Sequence, residues 1–103
     1  MITATQNKGF QLTFENKLTI SVQFGKGNYC SNKFDESEHN KRCRSYESVT
    51  AEIAIWDANN KDFYFEGNEA KGGNLCKGWL NSDEVAKWIA KVQKAKDLKS
   101  LRK

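Results

Sequence analysis

Two neighbouring segments with a strict alternation of apolar and polar residues constrain the fold most. Apolar residues occupy every second position on both sides of a polar break at Asn16 and Lys17, as Phe10, Leu12 and Phe14 before it and Leu18, Ile20, Val22 and Phe24 after it. Successive strand side chains point to opposite faces, so this period of two predicts a β-hairpin with one solvated face. Asn tolerates a positive φ, whereas Lys17 stands where glycine is preferred, and the turn type stays open.

Three further segments are predicted to extend the sheet. Alternation returns over residues 49–57, with Val49, Ala51, Ile53 and Ile55 facing one way. Residues 63–66 follow a polar turn and are predicted to form the next strand. Residues 75–80 form either a short fifth strand or an extended segment that leads into a helix.

A C-terminal amphipathic helix is predicted over about residues 82–100. Asn81 and Glu84 have the spacing of a capping box, in which each side chain bonds the backbone N–H of the other residue. Apolar residues then recur at helical spacing, as Val85, Trp88, Ile89, Val92, Ala95, Leu98 and Leu101. We predict that this stripe packs on the sheet, that Trp88 lies in the core, and that the last turn frays.

Length and composition bound the architecture. A chain of 103 residues with 38% hydrophobic residues can build one core but not two. We therefore predict a single domain over residues 1–103, an α+β fold in which an antiparallel sheet of four to five strands packs against one C-terminal helix. No apolar run reaches the roughly 18 residues of a membrane span, and the first ten residues lack signal-peptide character. These features predict a cytoplasmic protein with no membrane partner.

The polar segment over about residues 25–46 is the strongest candidate for a functional element. A loop of this length is uncommon in a compact domain and is usually functional or disordered. It combines cationic and aromatic side chains, which are frequent anchors of binding surfaces. We also expect an outward-facing aromatic residue among Trp56, Tyr64 and Trp79. The predicted partner-binding residues are Tyr29, Lys33, Arg42, Arg44, Tyr46 and Trp56.

The cysteines and the single histidine leave more than one chemistry open. A tetrahedral Cys3His zinc site needs three thiolates and one imidazole, and the sequence supplies these ligand types as Cys30, His39, Cys43 and Cys76. Their spacing lacks the short Cys-x-x-Cys knuckle typical of structural zinc sites, and a Cys30–Cys43 disulfide is an alternative under oxidising conditions. Because free thiols are the usual state in a chain without an export signal, we expect no bound metal and no cofactor.

Catalytic chemistry is not indicated. A Cys–His nucleophile needs a rigid scaffold, whereas His39 lies in the polar run ESEHNKRCR. The carboxylates of Asp35, Glu36 and Glu38 stand beside basic residues that neutralise them in solvent. The glycine pairs in GKGN and KGGN lack the phosphate-binding GxxxxGK pattern. We therefore predict no catalytic residues and no enzymatic activity.

The positive charge is concentrated at one end of the chain. Residues 1–81 carry ten basic and ten acidic side chains, and residues 82–103 carry seven basic and three acidic ones, so the net charge of +4 lies on the C-terminal segment. A basic helix can attract nucleic acid, anionic lipid or an acidic protein surface. With the cations and rings of the long loop, this pattern keeps a basic nucleic-acid or nucleotide-binding module open as an alternative function.

Three segments, GFQLTFENKLTISVQFGKGNYCSN, AEIAIWDANN and GWLNSDEVAKWIAKV, resemble a group of short bacteriophage and prophage proteins of uncharacterised function. The resemblance carries no catalytic motif. It implies a phage-encoded accessory protein, a class that includes inhibitors of host defence such as anti-CRISPR proteins. The first hypothesis is therefore a non-enzymatic binding protein, monomeric or homodimeric, that blocks a host protein or ribonucleoprotein complex in the cytoplasm of the infected bacterium. A small zinc-dependent structural domain is the third hypothesis, after the nucleic-acid-binding module.

Overall fold

A computed structural model describes residues 1–5, 8–25, 28–31, 47–58 and 75–102. Within them the chain forms a five-stranded antiparallel sheet in sequence order, with strands β1 (Ile2–Ala4), β2 (Gly9–Thr13), β3 (Leu18–Gln23), β4 (Ala51–Asp57) and β5 (Leu75–Leu80). Helix α1 (Ser82–Lys94) and a short 3₁₀ helix (Lys99–Arg102) follow. The predicted α+β fold, with an antiparallel sheet packed on one C-terminal helix, is confirmed.

The core lies between one face of the sheet and helix α1, which packs over β3, β4 and β5. It is built from the apolar half of each alternating pattern, as Leu18, Ile20, Val22, Ala51, Ile53, Ile55, Leu80, Val92 and Leu101. Ile20, Ile53 and Ile55 are fully buried because they lie on the two inner strands β3 and β4. Burial of each such side chain contributes about 2 kcal/mol to the free energy of folding.

Trp88 packs at the rim of this core. Its side chain is half-buried and contacts the buried cluster, whereas Val92 is the helix residue with no exposed surface. The ammonium groups of Lys77 and Lys91 lie 5.2 Å and 4.6 Å from the centroid of the Trp88 ring. The outer part of the indole therefore interacts with two cations.

Both ends of α1 follow from local chemistry. At the start, the Asn81 side chain accepts from the Glu84 N–H at 2.9 Å and the Glu84 carboxylate accepts from the Asn81 N–H at 3.0 Å, which confirms the predicted capping box. At the other end the helix stops at Lys94, short of the predicted residue 100, because Ala95 adopts an extended conformation with ψ 146°. The apolar spacing alone does not reveal this break.

The residues after the break are held in place. Ser100 donates its N–H to the Asp97 carboxylate at 2.9 Å and its hydroxyl to the Asp97 carbonyl at 2.8 Å. The 3₁₀ helix that follows brings Leu101 into the core, where its side chain is buried. The final turn, predicted to fray, is therefore docked on the domain through residue 101.

The β2–β3 turn binds the C-terminal end of α1 through one side chain. The Asn16 amide nitrogen donates to the carbonyl oxygens of Val92 and Ala95, each at 2.8 Å. Its amide oxygen accepts from the Leu18 N–H at 3.0 Å. The last carbonyls of a helix lack the usual partner one turn further on. The Val92 carbonyl accepts from the Ala95 N–H at 3.2 Å, and Asn16 adds a second donor to it and also supplies a donor to the Ala95 carbonyl, which fixes the hairpin against the helix.

Lys17 occupies the left-handed position of the same turn, with φ 69°. Its N–H bonds the Phe14 carbonyl, and the Phe14 N–H bonds the Leu18 carbonyl, which defines a three-residue hairpin loop. We predict that Lys17→Gly raises the free energy of unfolding by about 0.5–1 kcal/mol, because glycine adopts this φ without strain. Urea denaturation measures the change, and a destabilised variant would contradict it.

Three features of the sheet differ from the prediction or lie beyond the described residues. Strand β1 has no counterpart in the sequence prediction, because its three residues are all exposed and too few to establish a pattern of alternation. Strand β4 begins at Ala51, so Val49 precedes it and is 78% exposed. The strand predicted at residues 63–66 and the long loop beyond residue 31 lie outside the described residues.

Candidate binding site

An extra residue in strand β5 creates a bulge beside Glu52. Ala51 pairs with Leu80 and Ile53 pairs with Lys77. Two residues of β5, Gly78 and Trp79, therefore lie opposite one residue of β4, Glu52. Trp79 has φ 60°, a left-handed backbone conformation that residues other than glycine rarely adopt. A bulge redirects the side chain it carries. The Trp79 side chain is 54% exposed.

Residues 28–31 lie against this bulge. The Trp79 N–H donates to the Tyr29 carbonyl at 2.7 Å. Gly78 permits this approach, because a Cβ at that position would lie 2.8 Å from the same carbonyl oxygen. The Tyr29 N–H donates to the Glu52 carboxylate at 3.1 Å. The backbone of Tyr29 is thus fixed on both sides, while its side chain is 55% exposed.

Neighbouring residues hold the segment from both ends. The Asn28 side chain accepts from the Gly25 N–H at 3.0 Å, and the Ser31 N–H donates to the Thr50 hydroxyl at 2.8 Å. Between them Cys30 is fully buried, with its thiol 3.6 Å from the Gly25 carbonyl oxygen. The segment thus forms an ordered platform, from which the rings of Tyr29 and Trp79 project. We call these two residues the aromatic pair.

The chemistry around the aromatic pair does not favour a reactive thiol. Cys76 faces the side of the sheet away from α1, because it pairs with Ala54, which alternates with the buried isoleucines of β4. Cys76 is exposed as a residue, but partial desolvation of its thiol and, second, the nearby Glu52 carboxylate raise the pKa of the thiol above its ordinary value. A raised thiol pKa keeps Cys76 protonated at neutral pH, whereas nucleophilic cysteines need the thiolate.

The structure describes two of the six predicted partner-binding residues. Tyr29 is exposed and belongs to the aromatic pair. Trp56 lies on the sheet face away from the helix, opposite Thr19, and is half-buried. Glu52 and Trp56 are four positions apart on β4, which corresponds to about 13 Å, so Trp56 stands apart from the aromatic pair. The other four, Lys33, Arg42, Arg44 and Tyr46, lie outside the described residues.

Trp79 is absent from the predicted site, although it is one of the aromatic residues considered as outward-facing. The signal that identifies it is the preceding glycine, since a glycine inside a strand pattern often marks a bulge or a close backbone approach. Gly78 lies in a bulge and also admits a close backbone approach. The partner of that close approach, Tyr29, is distant in sequence, and the alternation pattern gives no indication of it.

The four candidate zinc ligands are only partly described. Cys30 is buried and Cys76 is exposed, and both are free thiols. His39 and Cys43 lie outside the described residues. Among the described residues, no group of three or more His, Cys, Asp or Glu side chains is placed to hold a metal ion. Within the same residues, no helix is long and apolar enough to span a membrane.

An apolar cleft opens between α1 and the sheet, on the side of the bulge where residues 47–50 enter β4. It has a volume of about 410 Å³ and is bordered by Phe10, Phe24, Val85 and Ile89. Its polar lining includes Ser48, whose hydroxyl already donates to the Thr50 carbonyl. The cleft is of a size that suits a small ligand, but such sites also contain converging polar groups that orient the ligand. The aromatic pair therefore remains the better defined candidate.

Comparison with protein-family models, with curated proteins and with solved structures finds no match to this chain. The candidate site therefore rests on the geometry of the chain itself, namely the bulge, the close approach at Gly78 and the exposure of the aromatic pair.

Proposed function

We propose that the protein is a non-enzymatic binding protein that blocks a macromolecular partner by docking the aromatic pair into it. The observation that supports this most directly is the exposure of Tyr29 and Trp79 on a fixed backbone, 55% and 54% respectively. Tyr and Trp dominate binding hot spots because they bury a large area at a low cost in side-chain entropy. A rigid platform lowers the ordering cost further.

The strained backbone adds weight to this proposal. A left-handed conformation at a residue other than glycine costs about 1–2 kcal/mol, and Trp79 adopts it beside a glycine that admits Tyr29. Stability alone would favour glycine at position 79. A tryptophan at this position is explained if its exposed ring contacts a partner.

The resemblance to phage and prophage proteins supplies the class of partner. We propose a host protein or ribonucleoprotein complex of an infected bacterium, such as a defence complex of the CRISPR type. The protein would then act in the bacterial cytoplasm, and occupation of a partner surface would be its whole activity. Lys33, Arg42, Arg44 and Tyr46 stay predicted partner-binding residues.

The decisive variant is Trp79→Gly, which removes the ring and suits the left-handed backbone. We expect its melting temperature to equal or exceed that of the wild type, while binding to the isolated partner weakens by about 2 kcal/mol, or roughly thirtyfold. The partner is first captured from bacterial lysate with immobilised wild-type protein. Titration calorimetry on the purified partner then measures the affinity of each variant.

Val49→Gly is the matched control, because Val49 is an exposed apolar residue, at 78%, that lies outside strand β4. We expect this variant to retain the partner. Tyr29→Ala should weaken binding as Trp79→Gly does. Equal affinities for the wild type and both aromatic variants would exclude the aromatic pair as the binding surface.

The alternative function, a basic nucleic-acid or nucleotide-binding module, has one structural argument in its favour. Lys87, Lys91 and Lys94 are exposed on α1, in the segment that carries the excess positive charge. Binding through such a face releases counterions and therefore weakens steeply with salt. Recovery of bulk nucleic acid that is lost at high salt, and is unaffected by Trp79→Gly, would favour this alternative.

A further inference from the structure

The outer edge of strand β1 presents backbone groups in a regular pattern. Met1 and Thr13 exchange both backbone hydrogen bonds, each at 2.9 Å, and the Thr5 N–H bonds the Gly9 carbonyl at 3.0 Å. Because hydrogen-bonded and non-hydrogen-bonded pairs alternate in an antiparallel ladder, Thr3 also bonds inward to β2. The N–H and C=O groups of Ile2 and Ala4 therefore point away from the sheet.

Within the part of the chain that the structure describes, these outward groups of Ile2 and Ala4 have no hydrogen-bond partner. Natural edge strands are commonly protected by lysine, proline or a bulge, because an open edge pairs readily with another chain. Strand β1 has the sequence Ile-Thr-Ala and none of these protections. The opposite edge, β5, carries the bulge, where Trp79 bonds Tyr29.

An apolar row of the sheet continues to this open edge. Ile55 pairs with Ile20, Ile20 with Leu12, and Leu12 with Ile2, so all four side chains lie on the face that α1 covers. Ile20 and Ile55 are fully buried, whereas Ile2 is 79% exposed. Helix α1 packs on β3, β4 and β5, and the row extends past it to the edge.

The spacing of the outward groups makes the edge complementary to itself. If two copies of β1 pair in antiparallel orientation about a two-fold axis at Thr3, Ile2 lies opposite Ala4 of the partner subunit, and Ala4 lies opposite Ile2 of the partner subunit. Both residues with outward groups are then used in each chain. In a register centred on Ile2, Ile2 would lie opposite Ile2 of the partner subunit, and the outward groups of Ala4 would find no partner within Ile2–Ala4. The register centred on Thr3 therefore forms more hydrogen bonds.

We propose that β1 is a homodimerisation edge, at which a second copy of this chain pairs through the register centred on Thr3. The two sheets become one continuous sheet, and the row that ends at Ile2 continues into the partner subunit. A two-fold axis makes such a contact closed, with the same surface used on both chains. The aromatic pair packs beside the far edge strand, β5, and stays accessible in the dimer.

A register-specific cross-link tests the proposal directly. In the proposed dimer the two Thr3 Cα atoms are about 4.5 Å apart, because they form a non-hydrogen-bonded pair, a distance that a disulfide spans. The two Ile2 Cα atoms are about 9 Å apart, beyond the reach of a disulfide. We expect Thr3→Cys, oxidised with glutathione disulfide, to give a covalent dimer, and Ile2→Cys to give none.

The cross-linking variants are made on a Cys43→Ser and Cys76→Ser background, in which the buried Cys30 is the remaining native thiol. Cross-linking of both variants to the same extent would indicate random collision and would overturn the register. If neither variant cross-links at a protein concentration at which sedimentation shows a dimer, the dimer uses another surface and the proposal is wrong.

A second measurement does not depend on cysteine. Sedimentation equilibrium of the full chain should show a mass that rises with concentration from 11.8 kDa toward twice that value. Ile2→Lys should weaken self-association at least tenfold, whereas the control Val49→Lys, at an equally exposed apolar residue, should not change it. Circular dichroism checks that both variants fold. A monomer at all concentrations would overturn the proposal, even if the edge instead accepts a strand of a different protein. Equal effects of Ile2→Lys and Val49→Lys on self-association would also overturn it.

Discussion

Asn16→Asp is expected to lower the free energy of unfolding by about 3 kcal/mol, because it removes a donor from two part-buried carbonyl acceptors and replaces it with a negative charge. The carboxylate has nearly the same shape as the amide and can still accept the Leu18 N–H. It cannot donate to the carbonyls of Val92 and Ala95. The Ala95 carbonyl then loses its side-chain donor, the Val92 carbonyl keeps the Ala95 N–H, and both carbonyl oxygens stand beside an anion.

Equilibrium denaturation in urea at pH 7 measures this loss. Gln93→Glu is the matched control, because it adds a negative charge to the same helix turn at an exposed position and leaves the donor of Asn16 in place. We expect that control to lose less than about 1 kcal/mol, the usual size of a charge effect at a helix end. An unchanged Asn16→Asp variant would show that the hairpin and the helix are held together by apolar packing alone.

The accuracy of the sequence predictions depends on how local each signal is. The hairpin follows from alternation on both sides of Asn16, and the start of α1 follows from the three-residue spacing of Asn81 and Glu84. Both signals involve contacts close in sequence. The end of α1 does not, because apolar spacing continues after Lys94 while the backbone turns at Ala95, whose carbonyl binds Asn16. A contact over that sequence separation leaves no periodic signal.

The same distinction applies to the candidate site. Tyr29 is predicted because it lies in a long polar segment rich in aromatic and basic residues, and the structure shows it exposed. Trp79 becomes part of the site only because a bulge turns it outward and Gly78 admits the Tyr29 backbone. The identity of that neighbour requires the fold. Strand β1 is not predicted for another reason, since three exposed residues at a sheet edge carry no burial pattern.

Gly78→Ala is expected to displace residues 28–31 and to expose the Cys30 thiol. A Cβ at position 78 would lie 2.8 Å from the Tyr29 carbonyl oxygen and still closer to the Tyr29 Cβ. Neither atom is the end of a flexible side chain, so the segment must move away. The Trp79 to Tyr29 hydrogen bond is then lost, and the free energy of unfolding should fall by about 2 kcal/mol, in the range of overpacking substitutions.

The reaction of Cys30 with a thiol reagent under native conditions separates this effect from general instability. On the Cys43→Ser and Cys76→Ser background, the fully buried Cys30 should react slowly in the wild-type platform and at least tenfold faster in Gly78→Ala. Trp79→Gly is the control, because it changes the adjacent residue without adding an atom next to Tyr29, and its Cys30 should stay protected. If Gly78→Ala keeps Cys30 protected and binds the partner normally, the close approach at Gly78 does not hold Tyr29 in position, and the rigidity assigned to the aromatic pair has another source.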